Sequence, residues 1–117
     1  MRNHVDPARV QSALLRRAIT FINENANREI TLKDIATAVN VTPRSVQYAF
    51  RRHLGTTPLE YLRRVRLDRA HRELQIADPR SDTVMAIAGR WGFTHAGRFS
   101  GVYKRTYGTP PSETLRA

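Results

Sequence analysis

Arg44, Gln47, Tyr48, Arg51 and Arg52 fall at i, i+3, i+4, i+7 and i+8, so a helix carrying them presents guanidinium, carboxamide and phenol groups on one side. Such groups hydrogen-bond and stack. The guanidinium fork in particular matches the oxygens of a phosphate or the edge of a guanine. The other side of the same stretch, Val46, Ala49, Phe50 and Leu54, is apolar. Just upstream, Leu32, Ile35, Ala36 and Val39 form another apolar stripe, separated from the first by Asn40-Val41-Thr42. A supporting helix, a tight break and a presented helix make the layout of a helix-turn-helix, whose second helix enters a DNA major groove.

The charge of the chain points the same way. In 117 residues there are 20 Lys+Arg against 10 Asp+Glu, a formal net charge of +10. A balance this lopsided favours a polyanionic partner. A membrane surface is not expected: there is no stretch of 18 or more apolar residues and no bulky apolar helix face backed by lysines. Cysteine is absent, which excludes disulfides, thiolate metal sites and cysteine nucleophiles. The histidines at 4, 53, 71 and 95 lack metal-ligand spacing and no convergent carboxylates accompany them. No glycine-rich phosphate loop follows a strand, and no nucleophile sits with a base. Neither an enzyme nor a metal nor a cofactor is expected. No export signal is recognisable, so a cytoplasmic, nucleoid-associated location is expected.

The elements that position these groups read as all-α, because no stretch alternates apolar and polar residues. Residues 1–6 show no pattern and are expected to fray. Asp6-Pro7 is a cap followed by a first-turn proline, opening a helix to about residue 25 with a stripe of Val10, Leu14, Ala18, Phe21 and Ile22. Thr31 caps the second helix, with Asp34 placed for a capping box, and that helix ends near Val39. Asn40 suits the left-handed turn, and the small Ala36 lets two helices cross closely. Thr42-Pro43 starts the third helix and Gly55 ends it. Thr57-Pro58 starts a fourth over about 58–76, with Leu59, Leu62, Val65, Ala70 and Leu74 facing a core. Arg63, Arg64, Arg66, Arg69 and Arg72 on that helix read mostly as a solvated face.

From Thr83 the pattern repeats. Thr83, Ile87 and Ala88 match Thr31, Ile35 and Ala36, and Gly92 takes the place of Asn40, all 52 positions on. Thereafter the offset is 53: Phe99, Val102, Tyr103 and Tyr107 match Val46, Ala49, Phe50 and Leu54. The repeat predicts helices over about 84–90 and 95–107, then a short one over 111–115. Trp91 and Phe93 read as packing residues. The chain is thus expected to be a single DNA-binding domain over 1–117, with helix-turn-helix subdomains over 8–57 and 77–117 joined by the 58–76 helix. At about 1.5 Å per residue that helix is roughly 28 Å long, near the roughly 34 Å between successive major-groove openings. Two presented helices on one polypeptide would then need no dimer.

The stretches DIATAVNVTPRSVQYAFRRHLGTTPLEYLRRVRLDRAHREL and IAGRWGFTHAGRFSGVYKRTYGTPPSE resemble the DNA-binding domain of the AraC/XylS family of bacterial transcription regulators. With the first helix the resemblance covers about residues 8–115. It implies seven helices in two subdomains, with the third and sixth in adjacent major-groove segments of double-stranded promoter DNA, and contact with RNA polymerase. It implies base reading by Arg44, Gln47 and Tyr48 in the third helix, and by His95, Arg98 and Ser100 in the second unit. Phosphate contacts fall to Thr42, Arg51, Arg52, Thr94, Lys104 and Arg105. Most members join this domain to a separate sensor, through which any effector would act. No segment here is long enough to be one, so the chain is expected to be a fragment cut from a longer regulator rather than a stand-alone one, its MRNHVDP start an artificial initiation.

The second unit departs from the family pattern. Where a polar side chain and an Arg are usual, Gly97 and Gly101 stand one turn apart on the face that meets DNA. Three readings are open: close backbone approach to the duplex with Arg98 as main reader; docking on phosphates that leaves specificity to the first unit; or drift in a weakly used helix. The second is favoured. Two other functions compete with sequence-specific regulation: an architectural DNA-binding protein with little sequence preference, and a protein-interaction module using the smooth Gly97/Gly101 face.

Overall fold

A computed structural model describes residues 6–117; His4 and the expectation of a frayed start lie outside the described residues. Seven helices follow in order: α1 (Pro7–Asn25), α2 (Leu32–Ala38), α3 (Pro43–Leu54), α4 (Pro58–Ile76), α5 (Val84–Arg90), α6 (Ala96–Tyr107) and α7 (Pro111–Arg116). No strand occurs among the described residues, so the fold is all-α. The helix starts are local chemistry. Asp6 accepts from the Ala8 N–H, Thr42 from Ser45, Thr57 from Glu60 and Thr83 from Ala86. At α2 the capping box is complete: Thr31 Oγ1 accepts from the Asp34 N–H at 3.1 Å and Asp34 returns to the Thr31 N–H at 2.8 Å. Gly55 and Gly108 end α3 and α6 at φ of 65° and 80°.

The chain divides into two compact units, Met1–Arg63 and Arg64–Ala117, with the division inside α4. In the first, Leu14, Leu15, Ala18 and Ile22 of α1 pack with Ile35, Ala36 and Val39 and with Val46, Ala49 and Phe50 of α3, all buried. Phe50 meets Tyr61 edge-on at 5.7 Å. The predicted stripes need three corrections here. Val10 is 48% exposed because it lines an open groove between the start of α1 and the start of α3, and Leu15 does the burying instead. Leu54, at the end of α3, and Leu59, in the first turn of α4, are also exposed. The core is closed one turn before Leu54 by Phe50 and one turn after Leu59 by Leu62.

In the second unit, Leu67, Ala70 and Leu74 of α4 pack with Ile87, Ala88, Phe99, Tyr103 and Leu115. Leu67 is absent from the predicted stripe because α4 contributes to two cores: Leu62 belongs to one unit and Leu67, Ala70 and Leu74 to the other. No single period can describe such a helix. Arg66 and Arg69 are half-buried rather than solvated. Arg69 lies 5.7 Å from the Trp91 ring centre, and Arg66 lies against Gly92.

The duplication extends to the hydrogen bonds. Val41 N–H donates to the Ala36 carbonyl as Phe93 does to Ala88, and the intervening Asn40 and Gly92 are left-handed at φ of 58° and 83°. Gly55 N–H donates to Arg51 as Gly108 does to Lys104. Thr56 and Thr109 each donate to a glutamate four residues on, Glu60 and Glu113. The extra residue of the second copy lengthens its turn, so α6 begins at Ala96 with His95 as an N-cap that makes no side-chain cap bond.

Candidate nucleic-acid interface

The outward side of α3 is centred on Tyr48, 55% exposed, with Arg44 one turn before it and Arg51 and Arg52 one turn after. Gln47 is exposed on the flank. The inward side, Val46, Ala49 and Phe50, is at most 1% exposed, which fixes the rotation of the helix about its axis. Among the described residues none of Arg44, Arg51, Arg52, Arg98, Lys104 and Arg105 forms an ion pair. Their charge is therefore not neutralised within the fold. The Thr42 hydroxyl accepts from Ser45 N–H and also lies 3.0 Å from Ser45 Oγ, so it mainly caps α3. Beside α3 runs an open groove of about 460 Å³ lined by Val10, Gln11, Leu14, Thr42, Arg44 and Tyr48, among others. Gln11 Oε1 lies 3.3 Å from His53 Nε2 and ties α1 to the end of α3.

The same positions of α6 carry different chemistry. At the offset of 53, Gly97 stands for Arg44, Arg98 for Ser45, Ser100 for Gln47, Gly101 for Tyr48, Lys104 for Arg51 and Arg105 for Arg52. Thr94, His95, Arg98, Lys104 and Arg105 are exposed, whereas Ser100 is half-buried on the flank. Neither Gly97 nor Gly101 has a positive φ. A Cβ at Gly97 would meet open space, and one at Gly101 would meet only Arg105 Nη1 at 3.6 Å. The fold itself thus requires neither glycine.

Behind α6 lies a polar connection that sequence reasoning missed. His71 Nδ1 lies 2.6 Å from Tyr103 Oη, and that hydroxyl donates to Thr114 Oγ1 at 2.8 Å. With the Tyr103 proton directed at Thr114, His71 Nδ1 is the donor of the first bond. His71 also stacks on Tyr107 at 3.8 Å, linking α4, α6 and α7. The first unit has Ile19, Phe50, Leu54 and Tyr61 at the positions matching His71, Tyr103, Tyr107 and Thr114. Burial pushes the Tyr103 phenol up, partly countered by Thr114. Tyr107 is pushed up to about 12, first by burial and then by the Asp68 carboxylate. The signal was the replacement of apolar by polar residues between the copies.

A second connection holds α5. Arg90 pairs with both oxygens of Asp82, at 2.9 and 3.1 Å, and with Glu73 at 3.0 Å. The other Glu73 oxygen accepts from Trp91 Nε1 at 2.9 Å. Hydrogen bonds from Arg90 and then from the Thr83 N–H hold the Asp82 carboxyl below its usual range. Among the described residues no His, Asp and Glu side chains cluster as a metal site. No described helix is long and apolar enough to cross a membrane.

Residues 35–117 match the profile of a helix-turn-helix domain. A solved structure of a probable AraC family transcriptional regulator from Rhodopseudomonas palustris is 32% identical, with a TM-score of 0.81 over 89% of this chain and 95% of that one. The chain belongs to the AraC family. It is an AraC-type helix-turn-helix DNA-binding domain, the kind carried by transcriptional regulators. The probable thc operon regulatory protein of Rhodococcus erythropolis is 41% identical over 95% of this chain and 33% of its own length. The XylDLEGF operon transcriptional activator 1 of Pseudomonas putida is 42% identical over 86% and 30%. The AraC-type chain described here therefore spans about a third of the length of these relatives.

Proposed function

We propose that α3 and α6 enter successive major-groove segments of promoter DNA and that α3 performs most of the base reading. The observation that carries this reading is the outward side of α3: Arg44, Gln47 and Tyr48 are exposed on a helix locked from behind by Val46, Ala49 and Phe50. Arg44 pairs with guanine O6 and N7, Gln47 with adenine N6 and N7, and Tyr48 packs on a thymine methyl. Arg51 and Arg52, with Thr42, hold the adjacent phosphates. In the second unit His95, Arg98 and Ser100 form a smaller base-reading set, and Lys104 and Thr94 hold the backbone, setting spacing and register.

The protein works in the bacterial cytoplasm at the nucleoid, contacts RNA polymerase and activates transcription. Any effector acts through a sensor domain outside this one. Selection of bound sites from a random DNA pool tests the core of the reading. Two blocks of base preference about one helical turn apart are expected, the stronger one weakened by Arg44→Ala and Gln47→Ala. Enrichment of no motif would overturn it in favour of architectural binding.

A further inference from the structure

We infer that Arg105 determines specificity in α6, its guanidinium serving as the base-reading group at the position that Gly101 leaves bare. The inference rests on α6 facing DNA as proposed above and adds a reader to it. Side chains on a helix lean toward its N-terminus, so each covers the surface over the turn before its own Cα. Arg105 is four residues after Gly101, and its Nη1 lies 3.6 Å from where a Gly101 Cβ would stand. Apart from its chain neighbours and the adjoining backbone of α6, no other atom comes within 4 Å of that point. In α3 the matching centre of the outward side is filled by Tyr48, four residues before Arg52. In α6 the centre holds no side chain of its own, and the guanidinium from the next turn takes the place.

Arg105 is exposed and forms no ion pair among the described residues, so its donors are available to a ligand. Arg98 stands three residues before Gly101, on the same side of α6. Two guanidinium groups thus flank one smooth turn of backbone. The partner that suits a planar fork held against a helix surface is the O6/N7 edge of a guanine. Gly101 is then the residue that gives Arg105 its position.

The test is binding-site selection on the full chain, run in parallel for the native protein, Arg105→Ala, Arg105→Lys and Gly101→Leu. Arg105 is exposed and Gly101 half-buried, and neither belongs to the core. Each substitution is expected to reduce the guanine preference at one base pair of the second block by about tenfold. Arg105→Lys keeps the charge, so it should do this with an unchanged salt dependence. If Arg105→Ala weakened all sequences equally and flattened the salt dependence, with second-block preferences intact, Arg105 would be a phosphate contact and the inference would be wrong. If the native protein selected no second block at all, and Arg98→Ala changed nothing, the two-groove reading would fail and this inference with it.

Discussion

Tyr103→Phe removes one oxygen from the centre of the second unit. That oxygen accepts from His71 at 2.6 Å and donates to Thr114 at 2.8 Å, within a side chain that is 0% exposed. Two hydrogen bonds are lost, each contributing about 1 kcal/mol net. Two partners are left wanting, but both are half-buried, so water partly replaces the loss. The ring itself stays well packed, since Phe50 holds the matching position of the first unit at 0% exposure. The cost is therefore about 2 kcal/mol, without a cavity contribution. At about 4–8 °C per kcal/mol for a unit of this size, the melting transition that includes α6 falls by roughly 8–16 °C. Amide hydrogen exchange locates the effect: α6 and α7 lose about 30-fold in protection, whereas α1 to α3 keep theirs. A shift under about 2 °C, or an equal loss of protection in α1 to α3, would refute the idea that this hydroxyl anchors α6 to α4 and α7.

Further outcomes follow from the same structure. Gly97→Ala has open space for its methyl and is expected to stabilise the domain by about 0.5–1 kcal/mol in thermal melts; unchanged DNA affinity would then exclude close backbone approach at that position, and a sharp loss would establish it. Gly92→Ala is expected to do the reverse and cost about 1–2 kcal/mol, because φ is 83° there, with a lowered melting temperature as the check. Arg44→Ala and Gln47→Ala should each relax preference at one base pair by about 1–3 kcal/mol in competition binding, and a uniform loss across sequences would contradict their base-reading role. In ultraviolet titration of the four tyrosines, Tyr107 ionises near about 12 and Tyr103 also late. The neutral phenol is the form the fold prefers, so its contribution to stability is complete below about pH 10 and is lost as pH rises toward about 12. Asp68→Asn should bring Tyr107 down, and an unmoved value would rule out the carboxylate as a cause.

Much of the molecule was legible before any coordinates. The limits of α4 and α5 agree with expectation, because Thr57-Pro58 and Thr83 are local start signals whose chemistry needs no distant partner. The left-handed turn at Asn40 and its partner at Gly92 were readable for the same reason. The burial of α4 was not: its leucines serve two cores, and a periodic pattern presumes one. Arg66 and Arg69 likewise read as solvated until Gly92 and Trp91 stood beside them.

For the interface the division is similar. Sequence alone determined that two presented helices exist, that the first carries Arg44, Gln47 and Tyr48, and that the second has glycines in place of Arg44 and Tyr48, because helical spacing and an internal repeat are one-dimensional facts. Only the tertiary structure decided that those glycines are required by nothing inside the protein, that Arg105 covers Gly101, and that His71, Tyr103 and Thr114 join three helices. Each of these depends on which atoms meet across a turn of helix or between helices far apart in the chain, and residue spacing does not encode such distances.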